Sequence, residues 1–334
     1  MIITRTPFRV SLFGGGTDMP AWFNLHGGSV ISFTIDKYCH LSIRELPPYF
    51  DYKFRAVYSK IETVNEVEQI EHPAIRESIK KYGIVAGRNL EIQHHGDLPS
   101  KSGIGSSSAF AVSIIHGLNK MNNIELNKKE LSLMAIELEQ NSIGENVGSQ
   151  DQIACTFGGI NKIIFPSRGA WEVEQLKLSL ERIAEVEERC YLVYTGVQRL
   201  SSDVSRGLID NLLANESVLI KTMELVDIAE KLLVENSDLD ALGELLQETS
   251  NLKFKANPYA GTSAIHEFLN NGIASGALGG KVLGAGGGGF CLFWLKKNDK
   301  ERFRNGFKLG KEVPFKVDFS GASIVASQPW ECLV

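Results

Sequence analysis

Apolar and polar positions alternate along much of the first hundred residues, with many β-branched and aromatic side chains among them. A period of two residues is typical of a strand with one buried face. It predicts strands over Ile2–Phe13 and over residues 29–46, 51–64 and 90–95. The beginning of the chain is therefore expected to form a sheet.

Two helical patterns follow this sheet. Ser106–Met121 has almost no polar face, which predicts a helix that is buried on nearly all sides. A second helix is expected after Asn127, a good N-cap residue. Its apolar positions recur at i, i+3, i+4 and i+7, namely at Leu131, Met134, Ala135 and Leu138. Glu139 flanks that apolar face, so it is expected at the edge of the surface on which the helix packs.

The second half of the chain mixes strands and helices without a regular repeat. One strand is predicted over residues 191–195, amphipathic helices between residues 201 and 271, and late strands over residues 281–283 and 290–295. This order is typical of an α+β fold rather than a doubly wound parallel sheet. A length of 334 residues favours two domains, which we place at residues 1–185 and 186–334. The charged residues 181–189 are expected to form an exposed connection.

Composition and charge limit the kinds of molecule that this protein is expected to bind. Hydrophobic residues make up 43% of the chain, enough to fill a sizeable core, and the formal net charge is −5. The basic surface that nucleic acids and anionic membranes require is therefore not expected, whereas a small phosphorylated metabolite needs only local positive charge. No segment approaches the ~20 apolar residues of a membrane helix, so we expect a cytoplasmic protein. The five cysteines are scattered and are expected to be reduced, mostly buried thiols: Cys39, Cys155, Cys190, Cys291 and Cys332.

The 32 glycines are concentrated in a few segments, of which the first follows a strand as RVSLFGGGTD. Glycines at the end of a strand let the backbone approach a ligand closely. The alternative is a tight turn followed by a helix whose N-cap is Thr17 or Asp18. The sequence of this segment leaves both interpretations open.

The second segment, LPSKSGIGSSSA over residues 98–109, leads directly into the predicted buried helix. Unpaired N–H groups and the positive end of the helix dipole suit a phosphate there. The segment does not match the Walker A pattern. A helix cap would need only one serine, whereas Ser106, Ser107 and Ser108 stand in a row, which favours an anion or metal site.

Two further glycine segments complete the pattern. In GSQDQ, Asp151 stands between amide and small residues, where it could be a base, a metal ligand or a solvated loop residue. In KVLGAGGGGF, Gly284, Gly286 and Gly289 formally fit a dinucleotide-binding fingerprint. That fingerprint must open a helix, but a strand is predicted after these glycines. They are therefore expected to connect two strands while something lies against their backbone.

Together and in this order, the four segments resemble the galactokinase, homoserine kinase, mevalonate kinase and phosphomevalonate kinase (GHMP) family of small-molecule kinases. The most specific piece is the P-x-x-x-G-I-G-S-S-S run that begins at Pro99, and GAGGGG near the end supports it. The resemblance implies an N-terminal domain like the second domain of ribosomal protein S5 and a ferredoxin-like C-terminal domain. ATP and substrate are expected in the cleft between the two domains.

The same resemblance implies roles for individual residues. Asp151 matches the family's catalytic aspartate, and Arg9 matches the cation beside it. Ser107 and Glu139 match the ligands of Mg²⁺. The ATP-binding positions implied are Pro99, Gly103, Gly105, Ser106, Ser107 and Ser108. The substrate-binding positions expected are Gly15, Gly16, Thr17, Asp18, Gly148, Gly286 and Gly287, together with Arg199, which no motif of the family matches.

These matches favour an ATP-dependent kinase that phosphorylates the anomeric hydroxyl of a small sugar phosphate. Galactokinases carry a Glu-His pair where this chain has Gly15 and Gly16, which disfavours galactose. Arg199 and Lys281 are candidates for binding a distal phosphate. The alternatives are a kinase of another free sugar, such as L-fucose or galactose, and a catalytically silent sensor of sugar and ATP. A Rossmann oxidoreductase is disfavoured by the strand context, and a homodimer is left open.

Overall fold

The computed structural model describes residues 1–83, 88–197, 215–235 and 237–328. Its strands are β1 (Ile2–Phe13), β2 (Gly28–Glu45), β3 (Phe54–Val57), β4 (Ile61–Val64), β5 (Leu90–Gly96), β6 (Ile160–Phe165), β7 (Glu172–Gln175), β8 (Cys190–Tyr194), β9 (Gly279–Val282), β10 (Phe290–Trp294), β11 (Lys311–Glu312) and β12 (Ser323–Ser327). They form two sheets. The larger has the order β12-β1-β2-β5-β3-β4, with β6 also paired to β2 and β7 to β6, and the smaller has the order β11-β8-β10-β9.

Helices cover these sheets and confirm an α+β fold. They are α1 (Pro20–His26), α2 (Pro73–Tyr82), α3 (Ser106–Met121), α4 (Lys128–Glu137), α5 (Gln150–Phe157), α6 (Leu180–Arg189), α7 (Glu216–Val234), α8 (Asp240–Ala256), α9 (Ser263–Ala274) and α10 (Lys300–Gly306). A π turn at Leu138–Ile143 continues α4. Within the described ranges, no helix is long and apolar enough to cross a membrane.

Helix α3 packs against β1 and β2, as expected for a helix without a polar face. Ile114, Ile115 and Leu118 are fully buried and belong to the main hydrophobic core. The same core includes Leu192 and Phe290 from the smaller sheet. The loops that precede α3 and β10 are therefore held against one continuous core.

The strands expected at the beginning and near the end of the chain are present, but two interpretations were wrong. Residues 51–64 form a hairpin, β3 and β4, rather than one strand. Residues 181–189 are not an exposed connection, because they lie in α6, where Val186 and Arg189 are buried. Arg189 pairs with Glu185 at 3.1 Å and with Asp240. The high charge of this segment therefore reflects ion pairs within the fold, not an exposed loop.

The first and the last described strands are neighbours in the larger sheet. Strand β12 pairs antiparallel with β1, so that Ile2 lies opposite Ser327. Residues near the C-terminus thus complete the sheet that carries Arg9. The predicted boundary between residues 185 and 186 falls inside α6 and stays a prediction. Cys39, Cys155, Cys190 and Cys291 are buried free thiols, as expected, and Cys332 lies outside the described residues.

Candidate active site

An ion pair between Arg9 of β1 and Asp151 of α5 lies at the centre of the site. Arg9 Nε donates to Asp151 Oδ1 at 2.7 Å and Arg9 Nη2 donates to Oδ2 at 2.6 Å. The third guanidinium nitrogen donates to the Gly103 carbonyl at 2.6 Å. The Arg9 side chain is 4% exposed and that of Asp151 is 22% exposed. The bidentate pair therefore fixes the carboxylate while leaving part of it accessible.

Glu139 is buried among hydroxyl and amide groups. Its carboxylate accepts hydrogen bonds from Ser107 Oγ at 2.6 Å, Ser108 Oγ at 2.7 Å and Gln152 Nε2 at 2.6 Å. The residue is 1% exposed, so its expected place at the edge of the helix face was wrong. Helical spacing fails there because Leu138–Ile143 is a π turn, in which the 3.6-residue period no longer holds. Burial raises the pKa of Glu139 to about 7, although its three hydrogen bonds oppose that rise.

The loop before α3 presents its helix N-terminus next to Asp151. The N-cap is Gly105 in the left-handed region (φ 71°), which has no side chain to cap the helix, while its carbonyl accepts from the Ala109 N–H at 2.8 Å. The serines are therefore not caps: two bond Glu139, and Ser106 Oγ accepts from the Lys101 N–H at 3.2 Å. A Cβ on Gly105 would lie 3.6 Å from Asp151 Oδ2. The first-turn amides thus lie close to the Arg9–Asp151 pair, and amides there have no partner within the helix.

Pro99 and Gly103 shape the same loop. Pro99 is exposed, and its carbonyl accepts from Ser102 Oγ at 2.5 Å. Gly103 has a φ of 83° and lies against the smaller sheet, since a Cβ there would be 2.6 Å from the Leu283 carbonyl oxygen. The loop is consequently held from both sides, by β1 through Arg9 and by the strand that precedes the late glycines.

The donor set around Glu139 fits a hard divalent cation such as Mg²⁺. Ser107 and Glu139 offer oxygen atoms, and Gln152 Oε1 beside them is buried and has no hydrogen-bond partner among the residues that the structure describes. In the described parts of the chain, no cluster of three or more His, Cys, Asp or Glu side chains could bind a metal. A site with few protein ligands is typical of Mg²⁺, which takes its remaining ligands from phosphates and water.

Asp18 forms a second carboxylate beside the first. It is 3% exposed, and its Oδ1 accepts from the Gly16 N–H at 3.0 Å while Oδ2 accepts from the Gln150 N–H at 3.3 Å. Burial raises the pKa of Asp18, the nearby charge of Asp151 raises it further, and these hydrogen bonds lower it. Two neighbouring carboxylates, of which Asp151 is paired with Arg9, suit the recognition of neighbouring hydroxyl donors.

The glycines and threonine before Asp18 have different positions. Gly15 is exposed, whereas Thr17 is fully buried, and its hydroxyl donates to the Gly14 carbonyl at 2.8 Å. Neither Thr17 nor Asp18 is a helix cap, because the N-cap of α1 is Met19. The glycine run therefore holds its own turn together through Thr17 and leaves Gly15 on the surface.

The late glycine segment connects β9 and β10, as expected, and packs on other loops. A Cβ on Gly284 would be 2.4 Å from Gly103 Cα, and one on Gly286 would be 2.7 Å from Ala260 Cβ. The Gly287 N–H donates to the Ala260 carbonyl at 2.7 Å. What lies against the backbone of this segment is thus the loop before α3 together with Ala260.

Two lysines, Lys281 buried and Lys253 half-buried, donate to backbone carbonyls next to these loops. Lys281 is 4% exposed and donates to the Leu12 carbonyl at 2.7 Å, and burial lowers its pKa far below the usual value. Because the Lys281 side chain is buried, its suggested contact with a distal phosphate is not favoured.

Lys253 was not identified from the sequence, because nothing in its surroundings on α8 marks it. It donates to the carbonyls of Val282 (3.0 Å) and Gly284 (2.5 Å), and burial, with Arg9 nearby, lowers its pKa to about 7. Arg199 lies outside the described residues.

A carboxylate held by arginine, next to a helix N-terminus with an acid–serine cluster, is the arrangement of a phosphoryl-transfer enzyme. The sequence matches the GHMP kinases N terminal domain over residues 67–159 and the GHMP kinases C terminal domain over residues 229–309. The chain belongs to the GHMP kinase family and is an ATP-dependent kinase.

Particular relatives are similar over most of this chain. A D-glycero-alpha-D-manno-heptose 7-phosphate kinase of Campylobacter jejuni is 25% identical, with 96% of each chain covered. A bifunctional fucokinase/GDP-fucose pyrophosphorylase of Arabidopsis thaliana is 26% identical over 89% of this chain and 30% of that protein. The crystal structure of a D-glycero-D-manno-heptose 1-phosphate kinase from Bacteroides thetaiotaomicron has a TM-score of 0.80 at 22% identity, covering 98% of this chain and all of the other. The expected GHMP kinase fold is thereby confirmed.

Proposed function

We propose that this protein is an ATP-dependent sugar kinase that phosphorylates the anomeric hydroxyl of D-glycero-D-manno-heptose 7-phosphate. The observation that carries the proposal is the position of Asp151, which is held by Arg9 next to both the start of α3 and the second carboxylate, Asp18. The similarity to the C. jejuni kinase over nearly the whole chain supports the choice of sugar. The product would be the 1,7-bisphosphate, a precursor for nucleotide-activated heptose.

The nucleotide phosphates are proposed to bind at the first turn of α3. Amide groups of Ser106–Ser108 and the positive end of the helix dipole favour anions there. Ser107 and Glu139 would hold Mg²⁺, which supplies charge neutralisation and orients the phosphates when bound. Binding of a cation also favours the ionised form of Glu139, whose pKa burial raises in the free protein.

The acceptor hydroxyl is proposed to bind at the exposed part of Asp151. The carboxylate would orient this hydroxyl and accept its proton as the bond to phosphorus forms. Arg9 binds both oxygens of Asp151, so it keeps the carboxylate in one orientation and places positive charge near the transferred group. Asp18 would accept hydrogen bonds from other sugar hydroxyls, and its burial excludes competing water.

L-Fucose is the second candidate substrate, because the A. thaliana fucokinase is similar over 89% of this chain. Galactose is less favoured, since Gly15 and Gly16 offer no side chain for a hydroxyl. A silent sensor is also less favoured, because Arg9, Asp151 and Glu139 are all present and in contact with one another or with the α3 serines.

A coupled ADP-release assay tests the proposal. Purified protein with ATP and Mg²⁺ is given heptose 7-phosphate, heptose, L-fucose and galactose in parallel. We expect the highest kcat/KM for heptose 7-phosphate, because a distal phosphate contributes binding energy that positions the reacting hydroxyl. An Asp151→Asn variant controls for contaminating kinases. A higher kcat/KM for L-fucose would contradict the choice of heptose 7-phosphate. If none of the sugars were turned over, the proposal that the substrate is a sugar would be contradicted.

A further inference from the structure

Gln150 has a buried side-chain oxygen with no hydrogen-bond partner among the described residues. The residue is the first of α5, is 7% exposed, and stands directly before Asp151. Its backbone N–H and its side chain both hydrogen-bond Asp18. In the free protein, the side-chain amide nitrogen therefore donates to Asp18, whereas Oε1 accepts no hydrogen bond from a described residue. A buried carbonyl oxygen without a donor is costly, which calls for an explanation.

The position of Gln150 suggests what would supply the donor. A Cβ on the exposed Gly15 would lie 3.9 Å from Gln150 Nε2, so the amide lies just behind the open turn of the glycine run. Asp18 flanks it on one side and Asp151 follows it in the helix. The group that approaches this oxygen must be neutral or a donor, because two carboxylates nearby repel an anion. A sugar hydroxyl has this chemistry, and a phosphate group does not.

We infer that Gln150 is a specificity-determining residue whose Oε1 accepts a hydrogen bond from the sugar hydroxyl next to the one that is phosphorylated. The inference rests on the proposed function, since it takes the acceptor hydroxyl to lie at Asp151. For an anomeric acceptor, the adjacent hydroxyl is that on carbon 2. Gln150 thus distinguishes a sugar with a hydroxyl at this carbon from one without it, while Asp18 stays oriented by the amide nitrogen of the same side chain.

The test compares kcat/KM for heptose 7-phosphate and for its 2-deoxy analogue in wild-type protein and in variants. Gln150→Met keeps the volume but removes both the acceptor oxygen and the amide nitrogen that donates to Asp18. Gln150→Glu keeps an acceptor oxygen and removes only the donor to Asp18, so it separates loss of the oxygen from loss of that donor. Gln175→Met, in the exposed edge strand β7, is the matched control for the loss of an amide. Thermal melting shows which variants fold, and Gln150→Ala replaces Gln150→Met if the latter does not.

We expect wild-type protein and the Gln175→Met control to prefer the 2-hydroxy sugar by about 10- to 100-fold, the range for one buried polar group left unpaired. In Gln150→Met the preference should fall to within about 3-fold, and Gln150→Glu should retain it. A preference in Gln150→Met equal to that of wild type would overturn the inference, as would a wild-type protein indifferent to the hydroxyl. If another sugar of the panel is the substrate, the same comparison is made with its analogue lacking the hydroxyl next to the acceptor. Failure of the heptose assignment therefore remains distinguishable from failure of this inference.

Discussion

Substitution of Gly148 by alanine should displace Asp18 without disturbing the rest of the fold. Gly148 lies between the π turn and α5, and a Cβ on it would be only 1.8 Å from Asp18 Oδ2 and 2.6 Å from Asp18 Cγ. The φ angle of Gly148 is not in the left-handed region, so the alanine backbone is not strained. The perturbation is therefore a local steric one, aimed at a single carboxylate.

The magnitude follows from the size of this overlap. Cβ atoms essentially never approach another heavy atom within 3.0 Å, so the Asp18 carboxylate must move by more than an ångström. A misplacement of ~1 Å in a positioning group typically costs ~10²-fold in rate, or about 2.7 kcal/mol of transition-state stabilisation. We expect Gly148→Ala to lower kcat/KM for the sugar by about this factor. The KM for ATP should change little, because the α3 serines and Glu139 do not contact Asp18.

The ADP-release assay, with either substrate varied, measures both quantities. Gly306→Ala is the matched control, since the nearest atom to a Cβ at Gly306 is Ser275 Cβ at 3.7 Å, an ordinary contact. A folded Gly148→Ala protein with wild-type kcat/KM for the sugar would refute the placement of Asp18 in the sugar site. An equal rise in the KM for ATP would show that the displacement is not local.

Three other substitutions give separate predictions. Asp151→Asn keeps the shape of the side chain but not the proton acceptor, so kcat should fall by ~10²–10⁴-fold with ATP affinity nearly intact, as nucleotide titration and steady-state kinetics will show. Glu139→Gln should weaken the dependence of turnover on Mg²⁺, and an unchanged Mg²⁺ titration would remove Glu139 from the metal site. Asp18→Asn should stabilise the free protein increasingly with pH. Burial raises the pKa of Asp18 in the folded protein above its ordinary value of 3.8. The stability that protonated Asp18 contributes is therefore fully present below pH 3.8 and is lost as the pH rises through the folded pKa, whereas Asn does not titrate. Melting temperatures of both proteins from pH 4 to pH 7 test this, and a constant difference would contradict it.

Much of the fold could be predicted because its signals are local. The period of two in β1 and the apolar surface of α3 both reflect burial, and burial imposes the same pattern wherever the partner lies. Strand β12 could not be predicted in this way. It pairs with β1 across more than three hundred residues of sequence, and its five residues, which are half-buried or exposed, alternate too weakly to indicate a partner.

In the candidate site too, local features could be predicted from the sequence and long-range ones could not. Glycines and serines at residues 103–108 mark a loop at a helix N-terminus, because Gly103 and Gly105 have positive φ and the serines begin α3. The burial of Glu139 could not be foreseen, since it depends on a π turn that breaks the helical period. Lys253 was missed because its partners, the carbonyls of Val282 and Gly284, are backbone groups that have no signature in the sequence.

The product of the reaction tests the central claim most directly. Purified protein is incubated with ATP, Mg²⁺ and heptose 7-phosphate, and the products are followed by ³¹P NMR with correlation to sugar protons. We predict a new phosphate signal coupled to the anomeric proton, with the 7-phosphate retained and ADP formed in equal amount, and ~10²–10⁴-fold slower formation of this signal with Asp151→Asn. A new phosphate on any other carbon, or ATP consumption without phosphorylated sugar, would contradict the account.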